Sequence, residues 1–339
     1  MSREVPSGPV PPATRPAVDV SGLVVRYGDV VAVGGLDLQA HAGQVVALLG
    51  RNGAGKTSTV ETLEGYRPSA QGVVAVLGLD PRRPDQQREL TKRVGVMLQK
   101  GGVYPAMSPA EALNLFARYY DQPLDPHELI GRFGLGDVAS TPWRRLSGGE
   151  QQRLSMALAI VGRPEVVFLD EPTAGVDPQG RLAIRGEIHG LRAAGACVIL
   201  TTHELQEAEQ LADQVVIVDR GKVVAAGTTA ELTAAAPGGH EQIRFGAPPG
   251  LDTEALAATL AATVRSPAAG EYEIDAPGAP ATVAALTAWL AERNLALADL
   301  RVTRLRLEDV FLSLTSDTGE ANVGDTEDGR GRRGKRRPA

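Results

Sequence analysis

The apolar run Val45-Val46-Ala47-Leu48-Leu49 passes directly into Gly50-Arg51-Asn52-Gly53-Ala54-Gly55-Lys56-Thr57, and this junction constrains the chain more than any other part of it. A strand that ends in a glycine-rich turn and opens a helix aims successive backbone N–H groups at one point, where they can cradle a polyphosphate. Lys56 is expected to sit as a point charge on the β- and γ-phosphates, and the Thr57 hydroxyl to ligate Mg²⁺, which needs hard oxygen ligands. The expected ligand is Mg-nucleoside triphosphate.

The rest of the chain has to supply a sheet around that strand. From about Ala17 to Ala236, short β-branched runs alternate with amphipathic helical stretches, the pattern of a parallel sheet covered by helices. Strands are expected at 45–49, 166–169, 197–201 and 215–218. Residues 1–16 are rich in proline and read as a disordered leader, residues 17–236 as the nucleotide-binding domain. The texture changes after Pro237-Gly238-Gly239. Residues 240–315 read as a small α/β accessory domain, with helices at about 252–263 and 281–293, short strands near 241–245 and 271–275, and a closing helix near 307–315. Residues 316–339 are polar, then strongly basic, and are expected to be disordered.

Composition narrows the function classes. With 339 residues, 43% hydrophobic and 22% charged, most of the chain should fold. A net charge of −6 argues against a nucleic-acid-binding protein. The single cysteine, Cys197, rules out a disulfide framework and sits in an apolar run as a small strand residue. No run is long enough to span a bilayer, and the N-terminus lacks the apolar core of a signal peptide, so a cytoplasmic protein is expected and any membrane role must come through a partner.

Two further elements carry chemistry. Val166-Val167-Phe168-Leu169-Asp170-Glu171 is a strand whose end presents adjacent carboxylates. Beside a phosphate loop, Asp170 is expected to hold Mg²⁺ and Glu171 to polarise the attacking water as a general base. Leu146-Ser147-Gly148-Gly149-Glu150-Gln151 opens a helix, with Ser147 as N-cap, Gln151 in the first turns and glycines that leave amides accessible, a second anion-binding helix start.

That last string, and every other motif in order over about residues 18–235, resembles the ABC transporter ATPases. Tyr27 matches the aromatic that stacks on adenine. Gly50, Asn52, Gly53, Ala54, Gly55, Lys56 and Thr57, with Ser58 following, match the Walker A loop. Gln99 matches the Q-loop glutamine, which touches Mg²⁺ and the attacking water and faces the membrane subunit. Ser147, Gly148, Gly149 and Gln151 fall in the signature, Asp170 and Glu171 are the Walker B aspartate and catalytic glutamate, Asp177 lies in the D-loop, and His203 matches the switch histidine that contacts the γ-phosphate.

The resemblance implies a P-loop NTPase (RecA-like) core with a helical signature subdomain, ATP and Mg²⁺ as cofactors, and two nucleotides sandwiched between two chains facing head to tail. Turnover then needs a homodimer, or a heterodimer with a related ATPase. It also implies a separate transmembrane permease, docked near Gln99–Ser108, with the chain peripheral on the cytoplasmic face of the membrane and no nucleic-acid partner. Gly65-Tyr66-Arg67-Pro68 and Leu307-Glu308-Asp309-Val310-Phe311-Leu312 resemble the drug-resistance exporter branch, which points to export of a hydrophobic drug, antibiotic or lipid. An importer ATPase, or a non-transport member acting in translation or DNA repair, is the alternative. The tandem cassettes and inserted coiled coils of the non-transport members are absent from this sequence.

Overall fold

The computed structural model describes residues 15–67, 71–98, 102–235, 242–276, 278–303 and 307–316. Most of the expected leader and basic tail, and Gln99, lie outside the described residues. The chain opens with β1 (Val18–Tyr27) and β2 (Val30–Ala40), then β3 (Val45–Leu49), α1 (Lys56–Leu63) and β4 (Gln71–Val76). Next come α2 (Pro84–Leu90), β5 (Val94–Met97), α3 (Pro109–Ala117), α4 (Pro126–Arg132), α5 (Gly148–Ile160), β6 (Val166–Asp170), α6 (Pro178–Ala193), β7 (Cys197–Thr202), α7 (Leu205–Leu211), β8 (Gln214–Asp219), β9 (Lys222–Gly227) and α8 (Thr229–Ala235). The remainder is β10 (Gln242–Gly246), α9 (Thr253–Leu260), β11 (Thr263–Ala268), β12 (Glu271–Asp275), α10 (Pro280–Glu292), β13 (Ala298–Thr303) and α11 (Leu307–Ser316).

The main sheet has six strands in the order β5-β6-β7-β3-β8-β9, parallel except for the edge pair β8–β9. Its inner strands are buried on both faces, which is why they read as unbroken apolar runs. Alternate residues serve two cores: Val45, Ala47 and Leu49 face one, shared with α3 to α7, and Val46 and Leu48 face the other. The second core is closed by a three-stranded antiparallel sheet, β2-β1-β4, that the sequence reading did not anticipate. Its alternation is broken in β1 by register shifts, one of them between Val20 and Leu23, where Gly22 has φ 61.

Residues 242–303 build an antiparallel sheet ordered β11-β12-β10-β13 with α9 and α10 packed on it. The order of elements, β-α-β-β-α-β, is the split-βαβ, ferredoxin-like arrangement. The first helix ends earlier than expected: Ala261 turns left-handed at φ 50, and β11 follows as an exposed edge strand that tolerates Pro267. The closing helix α11 packs against α7 and α8 instead of the ferredoxin-like core, with Leu307 fully buried in the main body.

Gly95 lets β5 lie against α5, the helix that carries the signature. A Cβ at that position would stand 2.1 Å from the Ala159 carbonyl oxygen and 3.0 Å from Pro164 Cγ. Gly95→Ala is expected to destabilise the chain by about 1–3 kcal/mol, read as a lowered denaturant midpoint with an unchanged slope.

Candidate functional site

The phosphate loop takes its shape from backbone crowding. Gly50 lies where a Cβ would come within 2.3 Å of the Val218 carbonyl oxygen, and Gly55, at φ 105, within 2.4 Å of that of Ala32. Any side chain at either position pushes the loop off the β8 end or the β2 strand. The turn is also closed on itself, the Ala54 amide donating to the Arg51 carbonyl at 3.1 Å. Lys56 lies inside the turn, with Nζ donating to the carbonyls of Gly50 (2.8 Å) and Arg51 (3.2 Å). Burial pulls its pKa down, partly opposed by the nearby Glu171 and Asp170 carboxylates.

Asp170 ends β6 and is reached from two sides. The Thr57 hydroxyl donates to Oδ2 at 3.3 Å, and the Thr201 hydroxyl donates to Oδ1. Burial pushes the Asp170 pKa up against those two hydrogen bonds. Glu171 turns the chain out of the strand at φ 48, a left-handed conformation rare for a residue with a long side chain. Its amide is held by Thr201, through Oγ1 at 3.0 Å and the carbonyl at 3.2 Å, while its carbonyl accepts from Gln152 Nε2 at 2.8 Å. Glu171 Oε1 then lies 3.1 Å from His203 Nδ1. The strand-end acids, the phosphate loop and the histidine after β7 are thus gathered at one end of the sheet.

The signature stands apart. Ser147 caps α5, accepting from the Glu150 amide at 3.3 Å while Glu150 Oε2 accepts from the Ser147 amide at 2.7 Å. Ser147 and Gly148 are exposed and Gly149 half-buried. Among the described residues no hydrogen bond or ion pair joins this helix start to the phosphate loop. Gln151 donates its side-chain amide to the carbonyls of Trp143 and Leu146 at 3.0 and 3.2 Å. Asp177 caps α6 through the Gly180 amide and pairs with Arg153 at 3.2 Å.

Tyr27 is 39% exposed; its hydroxyl lies 3.0 Å from Ser58 Oγ, and the Arg67 guanidinium stands 5.0 Å from the ring centroid. Arg67 is in turn paired with Glu61. One ring face is therefore taken by a cation of the same chain.

Between the main sheet and the helical layer lies a cavity of about 370 Å³, with walls that include Leu63, Leu98, Val103 and Phe116. Glu64 opens into it. Burial, then Asp170 and Glu61, push its pKa from 4.5 up to about 8. Of the expected docking segment, Val103 lines this cavity, Tyr104 is 75% exposed, and Ser108 is not a free loop residue but the buried cap of α3.

Sequence reasoning missed Gln152, Thr201 and Glu64. Gln152 sits beside a recognised motif and Thr201 in a recognised strand, but their hydrogen-bond partners are set by tertiary approach. Glu64, a lone acid after Leu63, carries no pattern at all.

Residues 33–174 match the ABC transporter family. The chain is 35% identical to the daunorubicin resistance ATP-binding protein DrrA3 of Streptomyces coeruleorubidus, over 89% of this chain and 96% of that one. Against the daunorubicin/doxorubicin resistance ATP-binding protein DrrA of Streptomyces peucetius the identity is also 35%, over 88% and 92%. A Nod factor export ATP-binding protein I of Ralstonia nicotianae is 37% identical over 68% of this chain and 73% of its own. Among solved structures, an ATP binding subunit of an ABC transporter matches with a TM-score of 0.59 at 26% identity, covering 64% of this chain and 91% of that one. A dimeric bacterial ABC transporter cassette matches with a TM-score of 0.57 at 18% identity, covering 62% and 98%, a likeness of fold alone. The resemblance read from the motifs is borne out: the chain belongs to the ABC transporter family, as an ATP-binding, ATP-hydrolysing subunit.

Proposed function

We propose that this chain powers export of a hydrophobic compound through a separate membrane permease, working as a head-to-tail dimer peripheral to the cytoplasmic face of the membrane. The observation that carries its chemistry is the convergence of Lys56, Thr57, Asp170, Glu171 and His203 at one end of the sheet. Export is supported by the names of the relatives, which confer daunorubicin resistance or serve Nod factor export. Among the described residues no helix is long and apolar enough to cross a membrane. We also take residues 17–236 as the nucleotide-binding domain and 240–315 as its accessory domain.

In this reading the amides of Gly50, Asn52, Gly53, Ala54 and Gly55 hold the phosphates, and Lys56 turns from the loop carbonyls to the β- and γ-oxygens. The Thr57 hydroxyl and Asp170 carboxylate, two hard oxygen donors already 3.3 Å apart, would hold Mg²⁺, which when bound neutralises charge developing on the phosphoryl group. A buried carboxylate whose pKa is raised suits a site that a cation completes. Glu171 accepts the proton of the attacking water and His203 orients that carboxylate and reaches the γ-phosphate. Tyr27 stacks on adenine, with Ser58 holding the hydroxyl. Ser147, Gly148 and Gly149 of one protomer meet the nucleotide of the other, with Gln151 and Asp177 bracing the interface. Gln99 as a contact to metal and permease rests on sequence alone.

Glu171→Gln is expected to retain ATP binding while lowering kcat about 10²–10⁴-fold, with a dimer on gel filtration in Mg-ATP. Lys56→Ala is expected to weaken binding about 10–100-fold. Wild-type turnover in either variant would count against the assignment.

The Glu64 carboxyl gives a pH prediction. Its folded pKa, about 8, lies above its ordinary 4.5, so the folded chain holds an extra proton between those values. The penalty of ionising it is absent at low pH, grows as pH rises through that window and is complete above it. Glu64→Gln should therefore melt close to wild type at about pH 5 and higher by at least ~2 °C at about pH 9. Equal melting temperatures at the higher pH would mean that the group is well solvated.

The apolar cavity beside Tyr104 fits a cytoplasmic segment of the permease. Val103 is partly packed in its own core, which makes the exposed Tyr104 the cleaner probe. Tyr104→Glu is expected to weaken co-purification with the permease encoded beside it about tenfold or more, while ATP affinity of the isolated subunit stays within about twofold, as no phosphate contact is touched. Undiminished association would remove this loop from the interface.

A further inference from the structure

Glu207, in the first turn of α7, is a buried acid with no place in the chemistry above; it is 2% exposed. Its two oxygens are each taken by a hydroxyl: Oε1 accepts from Thr173 at 2.7 Å and Oε2 from Thr202 at 2.6 Å. Both threonines are buried as well, at 1% and 2% exposure. No cation pairs with Glu207 among the described residues. Burying a carboxylate against two neutral donors is poor value for stability, since an apolar side chain of similar size would avoid the desolvation. What the arrangement does provide is geometry. Thr173 lies two residues after Glu171, and Thr202 immediately precedes His203.

We propose that Glu207 is a positioning residue that fixes the distance between Glu171 and His203 by bridging the turn after β6 to the end of β7. The two segments have separate local supports. The turn after Glu171 is closed by the Ala174 amide on the Glu171 carbonyl at 3.2 Å and the Val176 amide on the Thr173 carbonyl at 3.2 Å. The other end is closed around His203: the Thr202 hydroxyl oxygen accepts from the Glu204 amide at 2.9 Å, leaving its proton for Glu207. Thr201 already fastens the Glu171 amide. Glu207 joins the two closed turns themselves, so that the side chains of Glu171 and His203 leave the backbone at a set separation and meet at 3.1 Å. Loss of the bridge leaves each turn and the Thr201 bonds to Glu171 intact, and loosens the tie from Thr173 to Thr202 that places His203 against Glu171. Misplacement of a reacting group by about 1 Å costs on the order of 10²-fold in rate, whereas phosphate binding, made by the loop before α1, is untouched.

The inference rests on the roles given above to Glu171 and His203, and the experiment separates the two. Steady-state and single-turnover ATP hydrolysis would be measured on the full chain for Glu207→Ala, Glu207→Gln, Thr173→Val, His203→Ala and the double variant Glu207→Ala with His203→Ala. Nucleotide affinity would be measured alongside. Glu207→Ala is expected to lower kcat about 10–100-fold with ATP affinity within about threefold of wild type. Glu207→Gln should recover most of the rate, because its carboxamide accepts from one hydroxyl and donates to the other. In the His203→Ala background, Glu207→Ala should cost less than about twofold more, the non-additivity expected of residues acting through one contact. A full additional loss there, or wild-type kcat in Glu207→Ala, would overturn the proposal. Should Glu207→Ala fail to fold, Thr173→Val, which removes one arm of the bridge and keeps its volume, decides: a lowered kcat at constant affinity supports it and an unchanged kcat overturns it. Wild-type turnover in His203→Ala would instead overturn the assignment of His203.

Discussion

Everything in this structure depends on β3 lying between β7 and β8 with every residue buried. A strand buried on both faces cannot slip by one residue without sending alternate side chains into the wrong core, so its C-terminal end is fixed in register. The phosphate loop inherits that fixity, since it begins where the strand stops. The crowding at Gly50 and Gly55 then leaves the loop one path between the end of β8 and the start of β2. Parallel neighbours deliver the remaining groups to the same edge of the sheet: Asp170 and Glu171 leave the end of β6, His203 the end of β7. A convergent site at the carboxyl ends of parallel strands is what this topology produces.

That dependence explains which parts were legible in the sequence. Val45–Leu49, Val166–Asp170, Cys197–Thr202 and Gln214–Asp219 are buried on both faces almost throughout, so each reads as an apolar run bounded by polar or glycine residues. The antiparallel layer was not legible, because the register shifts in β1 scramble the two-residue alternation by which a half-exposed strand is recognised. At the end of α9, no glycine or proline marks the left-handed turn at Ala261, so the apolar run that continues into β11 looks helical. The site divides in the same way. Motif strings carry the residues proposed to touch nucleotide, whereas the residues that hold those in place, such as Gln152 and Glu207, reach partners 19 and 34 positions away and leave no local trace.

Glu171 concentrates the conflict between stability and chemistry. Its left-handed backbone costs of the order of 1–3 kcal/mol in a residue with a side chain, and its carboxylate raises the cost of charging Asp170. The surroundings over-determine it. Thr201 alone contributes three hydrogen bonds to this corner, two accepted from the Glu171 amide and one donated to Asp170. Gln152 adds one to the Glu171 carbonyl from the signature helix. A strained acid whose backbone is held by three hydrogen bonds with Thr201 and Gln152 is pre-organised, and its position does not depend on the nucleotide arriving.

The same logic runs outward from the site to the cavity wall. Trp143 and Arg144 donate their amides to the carbonyls of Met107 and Pro105, at 2.8 and 3.1 Å, so the exposed loop containing Tyr104 is sewn to the backbone just before the signature. Gln151, reaching back to Trp143 and Leu146, closes that backbone onto the start of α5. Gln152 and Arg153, the next two residues, fasten α5 to the Glu171 carbonyl and to Asp177. The 102–107 loop, the backbone before Ser147 and the turn carrying Glu171 are thus joined in sequence by directional hydrogen bonds. The six-stranded sheet, packed on both faces, has little freedom to yield. In this fold the helical layer is stitched to the Glu171 corner by motif residues, Gln151 and Asp177, together with Gln152 and Arg153, whose partners no motif announces.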